Sequence, residues 1–291
     1  MQADIMQQTE SPSLLSLTRL KSSEFQLLAT LVYKECGINL SESKNVMLES
    51  RLQKRLRILG IKTFDEYIKY ISSKEGIENE LVHMIDVVTT NKTDFFREPH
   101  HFDYLKDTLL PAFANETKLS RPFRVWSSAC STGEEPYTLA MVMQDFVWEH
   151  SKFSYSILAS DISTQVLQRA SLAVYNAAYV NALPLHIKKK YFLKSKDQEK
   201  PTARIISALR ERIEFMRINL MDSTLDIGED MDAIFCRNVL IYFDRKTQYE
   251  VVSKLVQKLK PNGHLFIGHS ESLHQFELPL KQVKPTIFIK K

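Results

Sequence analysis

Two hydrophobic periods divide the chain. From Ser22 to about residue 90, apolar positions recur at three- and four-residue spacing, the period of helices that bury one face. Ser22 or Ser23 can cap a first helix carrying Phe25, Leu28, Ala29 and Val32, with Gly37 as its stop. Ser41 or Ser43 opens a second helix through Leu59, stopped by Gly60; Thr63 opens a third, and a fourth runs from Glu78 to Val88. The pattern predicts an all-helical N-terminal domain over 21–90, behind a polar, flexible N-terminus at 1–20.

Beyond Asn91 the pattern changes to short apolar runs alternating with helical stretches. A helix runs to Leu110, with Pro111 after it. Strand Phe123–Ser128 leads through a small-residue turn into a helix with Leu139, Val142, Met143 and Phe146 on one face. Strand Tyr155–Asp161 precedes a helix over Ser163–Ala173, strand Asp232–Cys236 a helix over Lys246–Leu259, and strand His264–Gly268 an antiparallel edge at Thr286–Lys290. Residues 176–215 interrupt the alternation with a short helix, a lysine-rich loop (Lys194–Lys200) and strands near Arg204–Ile206 and Ile213–Met216, which reads as an inserted subdomain. The fold class is therefore α/β: a doubly wound, mostly parallel sheet over 91–291 with a small insertion, preceded by the helical domain.

Composition changes this picture little. The 291 residues suffice for two domains, and 39 basic against 35 acidic residues leave a net charge of +4, which implies no polyanionic partner such as nucleic acid. Cys36, Cys130 and Cys236 are isolated, as expected of a reduced cytoplasmic protein without disulfides or a zinc site. No stretch has the apolar length of a membrane span, and the first residues do not read as a signal peptide.

In doubly wound sheets ligands bind beyond the carboxyl ends of the strands. The first such end supplies Ser128–Gly133, small residues that permit a sharp turn and close approach of a ligand, followed by Glu134 and Glu135 at a helix N-terminus. The GxGxxG dinucleotide fingerprint is absent. Two carboxylates at that terminus repel a phosphate and welcome a cation, which points to the sulfonium cofactor S-adenosylmethionine rather than NAD or ATP, although helix capping alone also accounts for them. Asp161, ending the second strand, is placed to accept two ribose hydroxyl hydrogen bonds; its competing role is to cap the next helix, for which Ser163 is a rival. The remaining ends offer Asn219 and Leu220, then Arg237, Asn238 and Tyr242. His100 and His101 are adjacent and point to different sides of a helix, so no metal site is expected.

Five segments, TTNKTDFFREPHHF, SSACSTGEEPYTLAM, ASDI, IFCRNVLIYFD and LKPNGHLFIGHSES, resemble in that order the signatures of CheR-type chemotaxis receptor methyltransferases. The resemblance covers nearly the whole chain from about residue 20. It implies a Rossmann-like methyltransferase domain with a small antiparallel β-subdomain inserted, preceded by a helical domain. It also implies transfer of the methyl group of S-adenosylmethionine to glutamate side chains on the cytoplasmic helical bundle of methyl-accepting chemotaxis receptors, leaving S-adenosylhomocysteine. Carried over residue by residue, Asn91, Thr93 and Arg97 line the cofactor and acceptor site. Glu135 and Asp161 hold the amino-acid and ribose parts, Asn219 and Leu220 flank adenine, and Arg237 and Asn238 complete the pocket with Gly133 in the turn. Arg97 and Tyr242 lie nearest the transferred methyl as the catalytic pair. The implied protein is a cytoplasmic monomer recruited to membrane receptor arrays. The loop Lys194–Pro201 lacks the glycines common in members that bind a pentapeptide at receptor C-termini.

The second helix adds a docking reading. Leu48, Leu52, Leu56 and Leu59 form an inward stripe, leaving Lys44, Arg51, Lys54, Arg55 and Arg57 as a cationic face with no acid between Gln53 and Lys62. The family uses this helix for receptor contact, and an acidic receptor bundle is its counterpart; a solvated surface helix is the alternative. A non-catalytic cofactor-sensing adaptor of the same fold is the rival to the enzyme reading. A small-molecule or nucleic-acid methyltransferase is disfavoured, because neither Cys130 nor Cys236 is followed by proline and RNVLIYF lacks the Asx-Pro-Pro-aromatic turn.

Overall fold

The computed structural model describes residues 18–118, 120–228 and 230–291, and the chain falls into two units. One takes in Ser41–Val88 and the described part of Met1–Thr30; the other takes in Leu31–Leu40 and Thr89–Lys291. The flexible stretch expected at 1–20 lies, through residue 17, outside the described residues.

The first unit is helical. It comprises most of α1 (Ser22–Cys36), then α2 (Asn45–Leu59) after a 3-10 turn, α3 (Phe64–Ile71), α4 (Lys74–Asn79) and α5 (Leu81–Val88). Leu48, Leu52 and Leu56 are buried, as the stripe on α2 requires. Gly60 closes α2 in the left-handed region at φ 68°, and Thr63 opens α3 with a reciprocal capping box to Glu66. The single helix expected over 78–88 is two, because the chain breaks at Glu80 to turn that carboxylate inward. Its Oε1 accepts from Arg55 Nε at 2.9 Å and Tyr67 Oη at 2.9 Å, and its Oε2 from Arg55 Nη2 at 2.6 Å. This corrects the docking face: Arg55 is buried in a bidentate ion pair and is not presented to a partner.

The second unit is the α/β domain. After α6 (His100–Tyr104) a π-helical turn over Leu105–Leu109 leads directly into α7 (Leu110–Thr117), so the helix passes Pro111 instead of stopping at it. A proline has no N–H to give and crowds the carbonyl one turn back, and the widened turn accommodates both effects. Then follow β1 (Phe123–Ser128), α8 (Glu134–Glu149), β2 (Tyr155–Asp161) and α9 (Thr164–Leu172). A small antiparallel sheet holds β3 (Val174–Asn176), β4 (Phe192–Lys194) and β5 (Thr202–Ile205), with α10 (Ala177–Val180) and α11 (Leu185–Tyr191) between its strands. α12 (Ser207–Arg210), β6 (Ile213–Arg217), β7 (Met231–Cys236), α13 (Arg245–Lys258), β8 (Leu259–Ile267), β9 (Leu280–Lys284) and β10 (Ile287–Lys290) complete the unit.

The main sheet runs β6-β2-β1-β7-β8-β10-β9, parallel except for the last two strands. β6 was expected inside the insertion, but Ile213 to Arg217 pair in parallel with Ile157 to Asp161, so the inserted sheet ends before it. The central strands carry apolar side chains on both faces because both faces are covered. Val125 and Phe235 face one core with Phe266, whose ring stacks on Phe235 at 4.1 Å; Trp126 and Ile234 face the other with α13. Registers Ser128↔Ser160, Ser128↔Cys236 and Cys236↔Ile267 bring the carboxyl ends of β2, β1, β7 and β8 into one row. The chain leaves β1 to β2 on one side and returns to β7 on the other, which opens a crevice at the end of β1.

At that end the first turn of α8 buries Glu134, whose Oε2 accepts from Thr132 Oγ1 at 2.6 Å. Burial raises its pKa from 4.5 to about 7. The unfolded chain ionises this group from pH 4.5 upward while the folded protein holds its proton to pH 7, so folding stability falls as pH rises through that window. Glu134→Gln should match the parent near pH 4.5 and exceed it above pH 7, by up to ~3 kcal/mol, in urea unfolding followed across pH. Arg55→Ala should lower stability by about 3–5 kcal/mol, because it leaves the Glu80 carboxylate buried without its cation; unfolding by circular dichroism reads this directly.

Candidate active site

The turn after β1 lies at the centre of the crevice. Ala129 (φ 59°) and Ser131 (φ 50°) sit in the left-handed region, so the backbone folds back on itself and Cys130 N donates to Ser160 O at 2.8 Å. Ala129, Cys130 and Ser131 form one wall of a cavity of about 980 Å³, its open mouth included. Gly133, expected to meet the cofactor, does not line it. A Cβ there would come within 3.0 Å of Ala170 Cβ and Tyr175 Oη, so this glycine lets α8 approach α9 rather than a ligand approach the chain.

Asp161 is buried and lines the cavity. Its Oδ2 accepts from Ser131 N at 2.9 Å and its Oδ1 from Ser163 N at 3.0 Å. Ser163 caps α9 through its own hydroxyl, bonded to Val166 N, so the capping role belongs to Ser163. Asp161 instead ties the β1 turn to the start of the segment after β2.

Arg237, at the end of β7, is the charge centre of the opposite wall. Its side chain is 2% exposed, with Nη1 3.2 Å from Glu135 Oε2 and Nη2 3.3 Å from Glu98 Oε2. Nη2 also donates to the Arg97 carbonyl. Glu135 takes a further bond from Ser127 Oγ at 2.7 Å; burial raises its pKa and Arg237 opposes the rise. Glu98 behaves oppositely. Burial favours its protonated form, but hydrogen bonds from His269 and Asn238 and the charge of Arg237 outweigh that and hold it at about 2. Glu98 carries the loop of Arg97, since residues 96 and 98 are both left-handed (φ 55° and 56°) and present Arg97 between them.

Arg97 is half-buried and lines the cavity, with Nη1 on the Lys92 carbonyl at 3.0 Å. It forms no ion pair with Glu98 or Asp94; the Glu98 carboxylate is occupied by His269, Asn238 and Arg237. Asn91 and Thr93 line the same cavity from that loop, with Asn91 O accepting from Ser131 Oγ at 2.9 Å and Thr93 O from Tyr179 Oη. Asn219, Leu220, Asn238 and Tyr242 line it as well, and the Tyr242 hydroxyl has no hydrogen-bond partner among the described residues.

Sequence reasoning passed over several lining residues. Cys36 and Ile38 reach the cavity from the end of α1, where Gly37 reads only as a helix stop. Glu98 and His269 stand inside two of the signature segments, but nothing local signals that they pair. His101 and His264 are buried, with burial pushing them down to about 3 and 4, and neither lines the cavity. Among the described residues no cluster of His, Cys, Asp and Glu has the arrangement of a metal site. Lys44, in the 3-10 turn before α2, and Lys54 and Arg57 on α2 are exposed, whereas Arg51 is half-buried with Nη1 on the Val88 carbonyl.

The donor set suits a nucleoside that carries an amino-acid group: the lining mixes apolar side chains (Ile38, Ile162, Ile218, Leu220, Val239, Phe243) with Glu135, Asp161 and Arg237, and Arg237 Nε is buried and unpartnered among the described residues. Three carboxylates, Asp94, Glu135 and Asp161, and three cations, Lys92, Arg97 and Arg237, line the cavity, so it offers partners to both charges of a ligand that carries an amino and a carboxylate group. Residues 91–289 match the family model described as the CheR methyltransferase SAM binding domain, and residues 23–89 match the CheR methyltransferase all-alpha domain. A chemotaxis protein methyltransferase of Borreliella burgdorferi is 40% identical over 86% of this chain and 88% of its own length. Chemotaxis protein methyltransferase 2 of Pseudomonas aeruginosa is 38% identical over 91% of this chain and 92% of its own. That of Escherichia coli is 36% identical over 89% and 87%. With its helical unit, its mostly parallel sheet with a small antiparallel one, and this cavity, the chain belongs to the CheR family of chemotaxis methyltransferases, whose cofactor is S-adenosylmethionine.

Proposed function

We propose that this protein is a protein-glutamate O-methyltransferase that esterifies glutamate side chains on the cytoplasmic helical bundle of methyl-accepting chemotaxis receptors. The carrying observation is Arg97: a guanidinium at the cavity wall with no carboxylate partner among the described residues, beside carboxylates already satisfied elsewhere. That is the arrangement in which a planar cationic fork is available to an incoming carboxylate. A substrate glutamate has a reference pKa of about 4.3 and arrives ionised, so it needs orientation and exclusion of water rather than a base. The absence of a histidine from the lining fits that requirement.

When bound, S-adenosylmethionine supplies a methyl group on a positively charged sulfur, open to in-line displacement. The roles of this chain's own residues follow from chemistry. Asp161 accepts the ribose hydroxyls, Glu135 with Arg237 receives the amino-acid end, and Leu220 borders the adenine. Asn91, Thr93 and Asn238 close the pocket. Arg97 grips one edge of the acceptor carboxylate and Tyr242 offers its hydroxyl to the remaining oxygen. No helix among the described residues is long and apolar enough to cross a membrane, so a receptor-borne substrate has to be met at its cytoplasmic part by docking. Lys54 and Arg57 on α2, with Lys44 in the turn before it, are exposed cations available for that contact.

Tritiated-methyl transfer to receptor-containing membranes, with mapping of the labelled residues, tests the reading; base-stable label, or label away from glutamate, would refute it. In that assay Arg97→Ala should lower the rate about 10²–10³-fold in a folded protein, and Tyr242→Phe should lower kcat about tenfold with little change in cofactor affinity. Wild-type rates in both variants would mean that the reacting end lies elsewhere. Lys54→Glu combined with Arg57→Glu should reduce kcat/KM for receptor about tenfold at low salt and flatten its salt dependence, with S-adenosylhomocysteine affinity unchanged. Retention of the parent's salt dependence would return α2 to a merely solvated helix.

A further inference from the structure

We propose that Leu31–Leu40, the last turn of α1 and the bend after it, is a wall of the cofactor cavity, and that Asn219 is the positioning residue that latches it there. The proposal rests on assigning this cavity to the cofactor. It goes beyond it because the segment lies outside the residues matched by the SAM-binding family model, within those matched by the all-alpha one. In the structure it clusters with the α/β unit.

Four attachments hold the segment. Tyr33 Oη donates to Asp244 Oδ2 at 2.6 Å, beside the N-terminus of α13. Asn219 Nδ2 donates to the Glu35 carbonyl at 2.7 Å. Asn39 N donates to the Tyr242 carbonyl at 2.8 Å. Between them Gly37, at φ 72°, lies so close to Met221 that a Cβ would stand 2.4 Å from its Sδ and 3.2 Å from Thr247 Cγ2. The left-handed turn directs the chain back over the cavity, and only a glycine fits that approach.

Cys36 and Ile38 then line the cavity, and Ile38 packs on the apolar cluster that contains Ile218 and Leu220. The Cys36 thiol is buried, and burial pushes it up to about 11, so it stays neutral and acts as an apolar surface. Together these side chains make an apolar surface against which a flat, neutral heteroaromatic ring can pack. Asn219 cannot be read simply as a base-recognising amide. Its Oδ1 accepts from Met221 N at 3.0 Å while its Nδ2 is on Glu35, so both ends of the carboxamide are oriented toward protein. Its influence on the nucleoside passes through the wall it fastens. Because Asn39 holds the Tyr242 carbonyl, the same wall supports the loop that carries the reacting-end tyrosine.

The test uses the full chain and S-adenosylhomocysteine. In the wild-type protein, saturating ligand should slow hydrogen exchange of the Asn39 amide at least about tenfold, since opening the wall then requires release of the ligand. Ile38→Ala should weaken calorimetric affinity several-fold and Ile38→Asp about tenfold or more. Asn219→Asp keeps the acceptor for Met221 N but removes the donor to Glu35. It should speed exchange across residues 37–40 in the ligand-free protein and weaken binding about three- to tenfold. The exposed Lys34→Ala on the same segment should change neither. Unchanged Asn39 exchange on binding, or wild-type affinity in the Ile38 and Asn219 variants, overturns the proposal. Asp161→Ala separates this from the underlying assignment. If Asp161→Ala loses affinity while the wall variants do not, the wall fails and the site stands; if Asp161→Ala binds normally, the cavity is not the cofactor site.

Discussion

A guanidinium out of water is tolerated only where carboxylates and carbonyls surround it, and Arg237 meets that condition with three partners drawn from two parts of the chain. Glu135 comes from the helix after β1, Glu98 from the loop before α6, and the Arg97 carbonyl from that same loop. Phe102 closes over the guanidinium at 5.4 Å. Each partner would be costly to bury alone, and together they hold the loop of Arg97 against the end of β7. The loop lies outside helix and sheet, and this charge cluster adds to the bonds of Ser131 with Asn91, of Tyr179 with Thr93 and of Phe96 with Thr138 that fix it. The same cluster leaves Arg97 on the cavity wall and Glu135 and Asp161 in the lining, so the electrostatics that stabilise the fold at this point also place groups of both signs at the site.

Of the ten non-glycine left-handed residues among those described, five gather at this site. Phe96, Glu98, Ala129, Ser131 and Asn238 all lie in loops at the carboxyl edge of the sheet. Conformations of this kind persist only where surrounding bonds over-determine them. Here those bonds are the contacts of Asp161 with Ser131, of Glu98 with His269 and Asn238, and of Glu271 with the backbone of Gly268, Asn238 and Ile241. The site is thus stiffened by carboxylates that accept from backbone N–H groups, while the sheet beneath it is held by apolar burial on both faces.

In the helical unit one buried pair has a comparable role. Arg55 and Tyr67 converge on Glu80, which ends α4 and separates it from α5. That contact takes one cation away from the α2 surface, and the Val88 carbonyl engages a second, Arg51. The exposed positive charge on α2 is smaller than a count of basic residues suggests, and it is carried by Lys54 and Arg57, with Lys44 in the turn just before the helix.

By itself the sequence determined the helical and α/β halves, the strand ends, and with them Glu135, Asp161, Leu220, Arg237, Asn238 and Tyr242 as cavity residues, while Arg97 was named only by the family resemblance. These were legible because hydrophobic period is a local property, and because a parallel strand announces its functional end where an apolar run gives way to polar residues. Tertiary structure alone decided that Gly133 packs against α9, that Ile213–Arg217 joins the main sheet, that Arg55 is neutralised by Glu80, and that Leu31–Leu40 belongs with the cavity. It also decided that the Asn219 amide is bound to Glu35 and that Glu98 serves Arg237 rather than Arg97. Each of these is a pairing between residues far apart in the chain. Such pairings are set by how whole elements pack and by which buried charge must find a partner, and neither is encoded in any local window of residues.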